Sequence, residues 1–228
     1  MYKSVFKRIF DIMISGTMLI LLSPVLAYLA YLIKKNLGSP VIFTQVRPGK
    51  DGKLFRMFKF RSMTDARDAN GKLLPDEERL PPFGEKLRAT SLDELPELWN
   101  IFKGDMSCVG PRPQLVRDMV FFTPDEMKRQ SVYPGLTGLA QISGRNNITW
   151  KEKFSYDLQY IEDINFVEDV RIMWRTIFKV SAKEDIATDG MATALDYGDW
   201  LLDNGMISRE EYDAKQKEAL KLLQDFRG

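Results

Sequence analysis

From Ile12 to Ile33 no charged side chain interrupts the chain, and Ser23-Pro24 falls in the middle of this apolar stretch. At about 1.5 Å per residue its roughly 22 residues would make some 33 Å of helix, enough to reach through a hydrocarbon core. The run is longer than the apolar part of a cleavable signal, and no small-residue cleavage site follows it. Proline in the middle removes a helical hydrogen bond, so the pattern predicts a helix broken at Ser23-Pro24. Cations stand at both ends: Lys3, Lys7 and Arg8 before the run, Lys34 and Lys35 after it. A helix that enters a membrane, breaks and returns to the same face keeps both cationic ends on the cytoplasmic side. A kinked single span is the alternative.

Beyond this stretch the periodicity changes. Val41-Ile42-Phe43 reads as a short strand, Arg47 to Gly52 as a turn, and the near-alternation from Leu54 to Met63 as a second strand. Asp65 to Leu80 is polar and reads as a surface loop ended by Pro81-Pro82. Leu92, Leu95, Leu98, Trp99 and Phe102 recur at helical spacing. Ser91 and Glu94 have the spacing of a capping box before them, and Gly104 supplies the stop. Thr123-Pro124 predicts another helix start. Pro134 to Arg145 is glycine-rich without the spacing of a nucleotide-binding loop. Trp150 to Val180 reads as amphipathic helix. In the tail, Trp200 to Tyr212 predicts a helix, a glycine stop at Gly205 and a new helix opened by Ser208 with Glu211.

The chain has 228 residues, 44% hydrophobic and 29% charged, with a net charge of +1. That balance offers no whole-protein argument for a nucleic-acid partner. There is no histidine, which excludes histidine triads, histidine metal sites and histidine general bases. The single cysteine, Cys108, excludes an internal disulfide and reads as a small buried residue. Carboxylates, Lys, Arg and Tyr are left to carry any chemistry.

The carboxylates to consider are Asp93 and Glu94, placed by the capping pattern in the first turn of a helix, where unsatisfied N–H groups favour anions. An aspartate there is expected to stay ionised. Arg112 lies between Pro111 and Pro113 and after Gly110, read as permitting an unusual turn; a stiffly held guanidinium suits bidentate phosphate recognition. The bare residues fit equally well a capped helix and a proline-stiffened loop with solvated charges.

Asp93-Glu94, Gly104-Asp105-Met106-Ser107 and Val109-Gly110-Pro111-Arg112-Pro113, in this order, resemble the signature of the bacterial sugar transferases that are monotopic phosphoglycosyl transferases. The likeness is strongest to the small single-domain members and covers roughly residues 1–183. Phe58 to Met63 and Pro134 to Arg145 are similar to further family segments. The resemblance implies an α+β, mostly helical fold: a re-entrant membrane helix hairpin over residues 1–36 and a cytosolic catalytic α/β domain over 37–185. The cap and stop pattern of the tail, outside that resemblance, adds a C-terminal linker and helical hairpin over 186–228. The hairpin is expected to pack or to mediate self-association.

By the same resemblance, Asp93 attacks a UDP-sugar, releasing UMP and leaving a phospho-sugar on its carboxylate, which polyprenol phosphate then takes over. Glu94 is implied as the Mg²⁺ ligand. Lys59, Arg88, Arg112, Gln141, Arg145 and Asp169 are implied to bind substrate, and Ser23 and Pro24 to form the membrane hinge. The protein is expected at the cytoplasmic face of a bacterial inner membrane, with membrane lipid as a partner. The donor sugar is expected to be N-acetylated and amino-substituted, with glucose and galactose as alternatives. A non-catalytic nucleotide-sugar-binding scaffold and a lipid-phosphate hydrolase are the competing readings.

Overall fold

A computed structural model describes residues 2–144, 148–182 and 195–226. After a short π-helical turn, α1 (Lys7–Leu21) and α2 (Ser23–Leu37) meet at a bend of 63°. The cause is local. Pro24 has no N–H for the carbonyl of Ile20, and the Ser23 hydroxyl donates to that oxygen instead at 2.8 Å. Among the described residues no single helix is long and apolar enough to cross a membrane; the bent pair passes that test only together.

A mixed helix-and-strand region follows. β1 (Ile42–Pro48) and β2 (Leu54–Phe60) form an antiparallel pair in which Phe43 lies opposite Lys59. The polar stretch after them holds only α3 (Asp76–Arg79) and one isolated bridge, Arg67 to Leu73. Next come α4 (Pro82–Ala89), α5 (Glu97–Lys103), β3 (Ser107–Val109), α6 (Val116–Met119), α7 (Pro124–Met127), β4 (Gly135–Thr137) and α8 (Leu139–Ser143). Then α9 (Trp150–Glu162), α10 (Phe166–Ala182), α11 (Tyr197–Asp203) and α12 (Arg209–Asp225) complete the described chain. β3 and β4 pair in parallel. The architecture is α+β and mostly helical, as expected.

Several local expectations need correction. The capping box at Ser91 does not form: Ser91 is left-handed at φ 54°, its N–H bonds the Arg88 carbonyl, and it closes α4 rather than opening α5. Leu92–Glu94 is a single 3₁₀ turn, and α5 starts directly after Pro96, the residue the apolar spacing had read through. The buried face of α5 is Glu97, Leu98, Asn100 and Ile101, whereas Trp99 and Phe102 are exposed. Phe83 to Thr90, unassigned from sequence, is mostly helix. The stretch from Trp150 to Val180 is two helices separated at Asp163–Asn165, where the Asn165 side chain accepts from the Glu168 N–H and starts α10.

Other starts and stops follow the sequence. Gly104 ends α5 at φ 111°, Thr123 caps α7 with Glu126, and Ser208 accepts from the Glu211 N–H at the start of α12. The tail is not a free appendage. Tyr197 packs among Phe122, Trp150 and Phe154, its N–H bonds Asp118 at 2.9 Å, and Tyr212 stacks on Phe121.

The core that positions the site joins α1, β2, α5, β3 and α10 through Met57, Leu98, Ile101, Met106, Val109 and Ile172. α1 packs Ile14 and Leu19 against it and is tied down by charges. Lys7 Nζ lies 2.5 Å from the buried Asp169 carboxylate, and Asp11 accepts from the Cys108 N–H at 2.8 Å. Arg8 donates to the carbonyls of Ile101 (2.7 Å) and Met106 (3.0 Å), satisfying α5's C-terminal end.

Candidate functional site

Asp93 and Glu94 sit in the 3₁₀ turn between α4 and α5, with Asp93 only 8% exposed. Lys59 reaches them from β2, and Asn100 sets that approach. Fully buried on α5, Asn100 accepts from the Phe58 N–H (2.9 Å) and donates to the Arg56 carbonyl (2.7 Å). The helix thereby pairs with the free edge of β2 as a strand would, and fixes their register. Lys59 Nζ then lies 2.9 Å from Glu94 Oε1 and 3.2 Å from Glu97 Oε1.

Arg112, from the loop after β3, bonds the same oxygen, Glu94 Oε1. Its loop is held at three consecutive carbonyls: Pro111 accepts from the Gly135 N–H (3.0 Å), Arg112 from Arg129 (2.7 Å) and Pro113 from Arg47 (3.2 Å). Arg129 is itself fixed by a buried pair with Asp157 at 2.7 Å. Gly110 is needed for space, not for an unusual φ: a Cβ there would lie 2.5 Å from the Tyr133 carbonyl and 2.9 Å from the Gly135 nitrogen. Stiffness at Arg112 therefore comes from the glycine-rich segment packing against the loop, as much as from its flanking prolines.

The charges tune one another. Burial pushes the Asp93 carboxyl up to about 6, and the neighbouring Glu94 adds to this, while Lys59, Arg88 and Arg112 pull the other way. Burial and Glu94 thus outweigh the cations, and the carboxyl stands above the ordinary aspartate value. At Glu94 burial also disfavours charge, but Arg112 and Lys59 prevail and hold it well below the usual carboxylate range. Arg112 is correspondingly raised by Glu94. Glu97, wholly buried, is pushed up to about 7 by burial and by Glu94, against the pull of Lys59. An ionised carboxylate nucleophile ringed by guanidinium and ammonium groups can attack phosphorus while its neighbours neutralise the phosphate oxygens.

Of the residues expected from sequence, Asp93, Glu94, Lys59, Arg88 and Arg112 come together; Arg88 is oriented by a 3.0 Å bond from its Nε to Ser62 Oγ. Gln141 donates to the Leu136 carbonyl at 3.1 Å, and its buried Oε1 has no hydrogen-bond partner among the described residues. Asp169 belongs to a different cluster: its oxygens accept from Tyr2 (2.6 Å), Tyr160 (2.6 Å) and Lys7, which docks the N-terminal helices. Arg145 lies outside the described residues. Ser23 and Pro24 sit at the bend.

Sequence reasoning missed Glu97, Asn100, Arg129 and Arg47. Glu97 and Asn100 carried a usable signal, as polar residues on the helix face that also bears Leu98 and Ile101. Arg129 and Arg47 act on backbone carbonyls distant in sequence and gave none.

For a divalent cation, no group of three or more His, Cys, Asp or Glu side chains is arranged to hold one among the described residues. The donor set fits Mg²⁺ nonetheless, since this ion commonly takes one or two carboxylates and fills its shell with water and substrate phosphates. Lys59 and Arg112 both bond Glu94 through Oε1, which leaves carboxylate capacity at its other oxygen.

The model of a family described as bacterial sugar transferase matches residues 2–183, which include all the residues of this site. The chain belongs to the bacterial sugar transferase family. It is 44% identical over 190 residues to the uncharacterized sugar transferase EpsL of Bacillus subtilis, covering 83% of this chain and 94% of that protein. It is 42% identical to a UDP-glucose:undecaprenyl-phosphate glucose-1-phosphate transferase of Klebsiella pneumoniae, over 77% of this chain and 40% of that one. An undecaprenyl-phosphate galactose phosphotransferase of Salmonella typhimurium is 36% identical over 78% of this chain and 41% of its own length. The chain thus spans nearly all of the first relative and about two-fifths of the other two. The family match ends before α11 and α12.

Proposed function

We propose that this sugar transferase moves a sugar-1-phosphate from a UDP-sugar to polyprenol (undecaprenyl) phosphate through a covalent intermediate on Asp93. A carboxylate oxygen of Asp93 forms a bond to the sugar-linked phosphorus while the bond to the UMP oxygen breaks, and UMP leaves. A phosphate oxygen of the polyprenol phosphate then attacks the same phosphorus, giving polyprenol diphosphate sugar and freeing the carboxylate. The observation that carries this reading is Asp93 itself, a buried carboxylate under the pull of Lys59, Arg88 and Arg112. Arg112 on its clamped loop would grip the diphosphate, and Arg88 and Lys59 would offset the charge that collects on phosphorus-bound oxygens. Mg²⁺, when bound at Glu94, would supply further charge neutralisation there.

A membrane surface is the partner that would deliver the lipid substrate. Phe166, Val167, Val170, Trp174, Ile177 and Phe178 form an exposed apolar face along α10, and Val5, Phe6, Ile9 and Met13 are exposed along the N-terminal helices. These faces support a monotopic arrangement in which the bent α1–α2 pair enters the bilayer and returns, leaving the catalytic domain on the cytoplasmic side. The names of two relatives carry glucose and galactose, and the family resemblance points to an N-acetylated amino sugar.

The test is UMP release by the full chain in nanodiscs with Mg²⁺ and undecaprenyl phosphate. A panel of UDP-N-acetylated amino sugars, UDP-glucose and UDP-galactose is offered, beside an Asp93→Asn control. UMP that depends on donor, lipid and Asp93 supports the transfer. UMP from no donor, or from Asp93→Asn at the parent's rate, refutes it and favours a nucleotide-sugar-binding scaffold. Inorganic phosphate released without any donor favours a lipid-phosphate hydrolase.

A further inference from the structure

Glu97 is the least expected group in the site. It is fully buried, points at the same lysine as Glu94, and neither of its oxygens has a hydrogen bond among the described residues. Its partner is the Lys59 ammonium at 3.2 Å, shared with Glu94, and a buried carboxylate with half a counter-charge would be better satisfied in a state where that ammonium is its own. Lys59 provides that state. Its Nζ is 2.9 Å from Glu94 Oε1 and 3.2 Å from Glu97 Oε1, so the ammonium lies almost evenly between the two.

Glu94 Oε1 already carries two cationic partners, Lys59 and Arg112. A divalent cation approaching that carboxylate meets two like charges. Arg112 is fixed through its clamped loop, whereas Lys59 is a flexible ammonium that needs to shift only a fraction of an ångström to change partner. The groups facing Lys59 are Glu94 and Glu97, with Asp93 and Arg112 close enough to act on the same carboxylates.

We propose that Glu97 is a positioning residue that receives Lys59 when Glu94 takes up the divalent cation, so that metal binding and the partner of Lys59 exchange together. This inference rests on Glu94 being the magnesium ligand of the proposed transferase. In the metal-free site Lys59 bridges both carboxylates. In the loaded site it pairs with Glu97 alone, which relieves Glu94 of one of its two cationic partners and keeps the ammonium beside Asp93. Without the Glu97 charge, Lys59 stays on Glu94 and competes with the cation.

The experiment is a Mn²⁺ titration of the full chain in nanodiscs, followed by electron paramagnetic resonance of the free ion, with and without UDP. Glu97→Gln preserves shape and removes the charge. It is expected to weaken Mn²⁺ binding by about 10- to 100-fold, the usual effect of losing a group that orients a metal ligand. In a Lys59→Met background the same substitution is expected to change Mn²⁺ affinity by less than about twofold, because the competing ammonium is gone.

Parent-like Mn²⁺ affinity in Glu97→Gln overturns the inference. So does an equal loss in both backgrounds, which would make Glu97 a direct ligand. If Glu97→Gln shows no thermal transition, Glu97→Asp keeps the charge one methylene farther from Lys59 and is expected to weaken Mn²⁺ binding only when Lys59 is present. UMP release by the parent is measured on the same nanodiscs. Its absence counts against the transferase alone, since Mn²⁺ binding is read without turnover.

Discussion

Asn100 carries two backbone groups of β2 on one side chain, which makes its replacement a direct test of how the site is assembled. Asn100→Ala removes the acceptor of the Phe58 N–H and the donor to the Arg56 carbonyl. Each backbone group left buried without a partner costs about 1–3 kcal/mol, so the pair amounts to about 4 kcal/mol. In a domain of this size that corresponds to a fall in Tm of about 8–16 °C. Asn100→Asp is the sharper variant. It keeps an acceptor for Phe58 but sets a carboxylate against the Arg56 carbonyl and the Asp105 carboxylate, which Asn100 now meets at 3.1 Å. It is expected to melt below the parent at pH 7 and to recover partly at pH 5. Tryptophan fluorescence during heating in detergent reads both, and UMP release should fall with them because Lys59 follows Phe58 directly. If Asn100→Ala melts within about 2 °C of the parent, the helix does not register the strand and the reasoning fails.

Three other outcomes are expected. Gly135→Ala would place a Cβ 2.1 Å from the Gly110 nitrogen and 2.3 Å from the Thr137 carbonyl. It should cost about 3 kcal/mol or more and abolish UMP release by moving the Arg112 loop, and an active, parent-like variant would contradict this. Lys7→Met leaves the buried Asp169 with two tyrosine hydroxyls and no counter-charge, costing about 3 kcal/mol by thermal unfolding; adding Asp169→Asn should restore part of it, and no recovery would count against the pairing.

Asp93→Asn should stabilise the metal-free protein above pH 6. The folded carboxyl, at about 6, lies above its ordinary 3.8, so the parent is strongest where Asp93 is protonated and loses stability as pH rises through 6. The gain in the variant should approach about 3 kcal/mol at pH 8 and vanish below about pH 4. A gain that does not depend on pH would contradict the burial argument.

The sequence made the broken N-terminal helix legible, because a proline inside an uncharged run has one local consequence that nothing downstream reverses. The strand–turn–strand unit, the Thr123 and Ser208 caps and the Gly104 stop were legible for the same reason. α5 was misread at both its start and its face. Pro96 and the end of α4 settle where it begins, and contact with α1 and β2 decides that Glu97 and Asn100 face inward while Trp99 does not. The acidic pair and Arg112 stood out through their segment's resemblance to a family. The clamp on the Arg112 loop did not, since Arg47, Arg129 and Gly135 meet those carbonyls only after the chain has folded back on itself.

The way α1 is docked also has a consequence for the order of folding. Lys7 finds Asp169 across a separation of 162 residues, and Asp11 finds the Cys108 N–H across 97. At translation rates of about 5–20 residues per second, α1 exists for roughly 8–30 s before its last partner is synthesised. Lys7 and Asp11 stand one helical turn apart, the spacing at which opposite charges on one helix can pair. The nascent helix can thus neutralise its own two buried charges. Asp11 meets its final partner first and Lys7 last, so that docking of α10 is the step that completes the seating of α1.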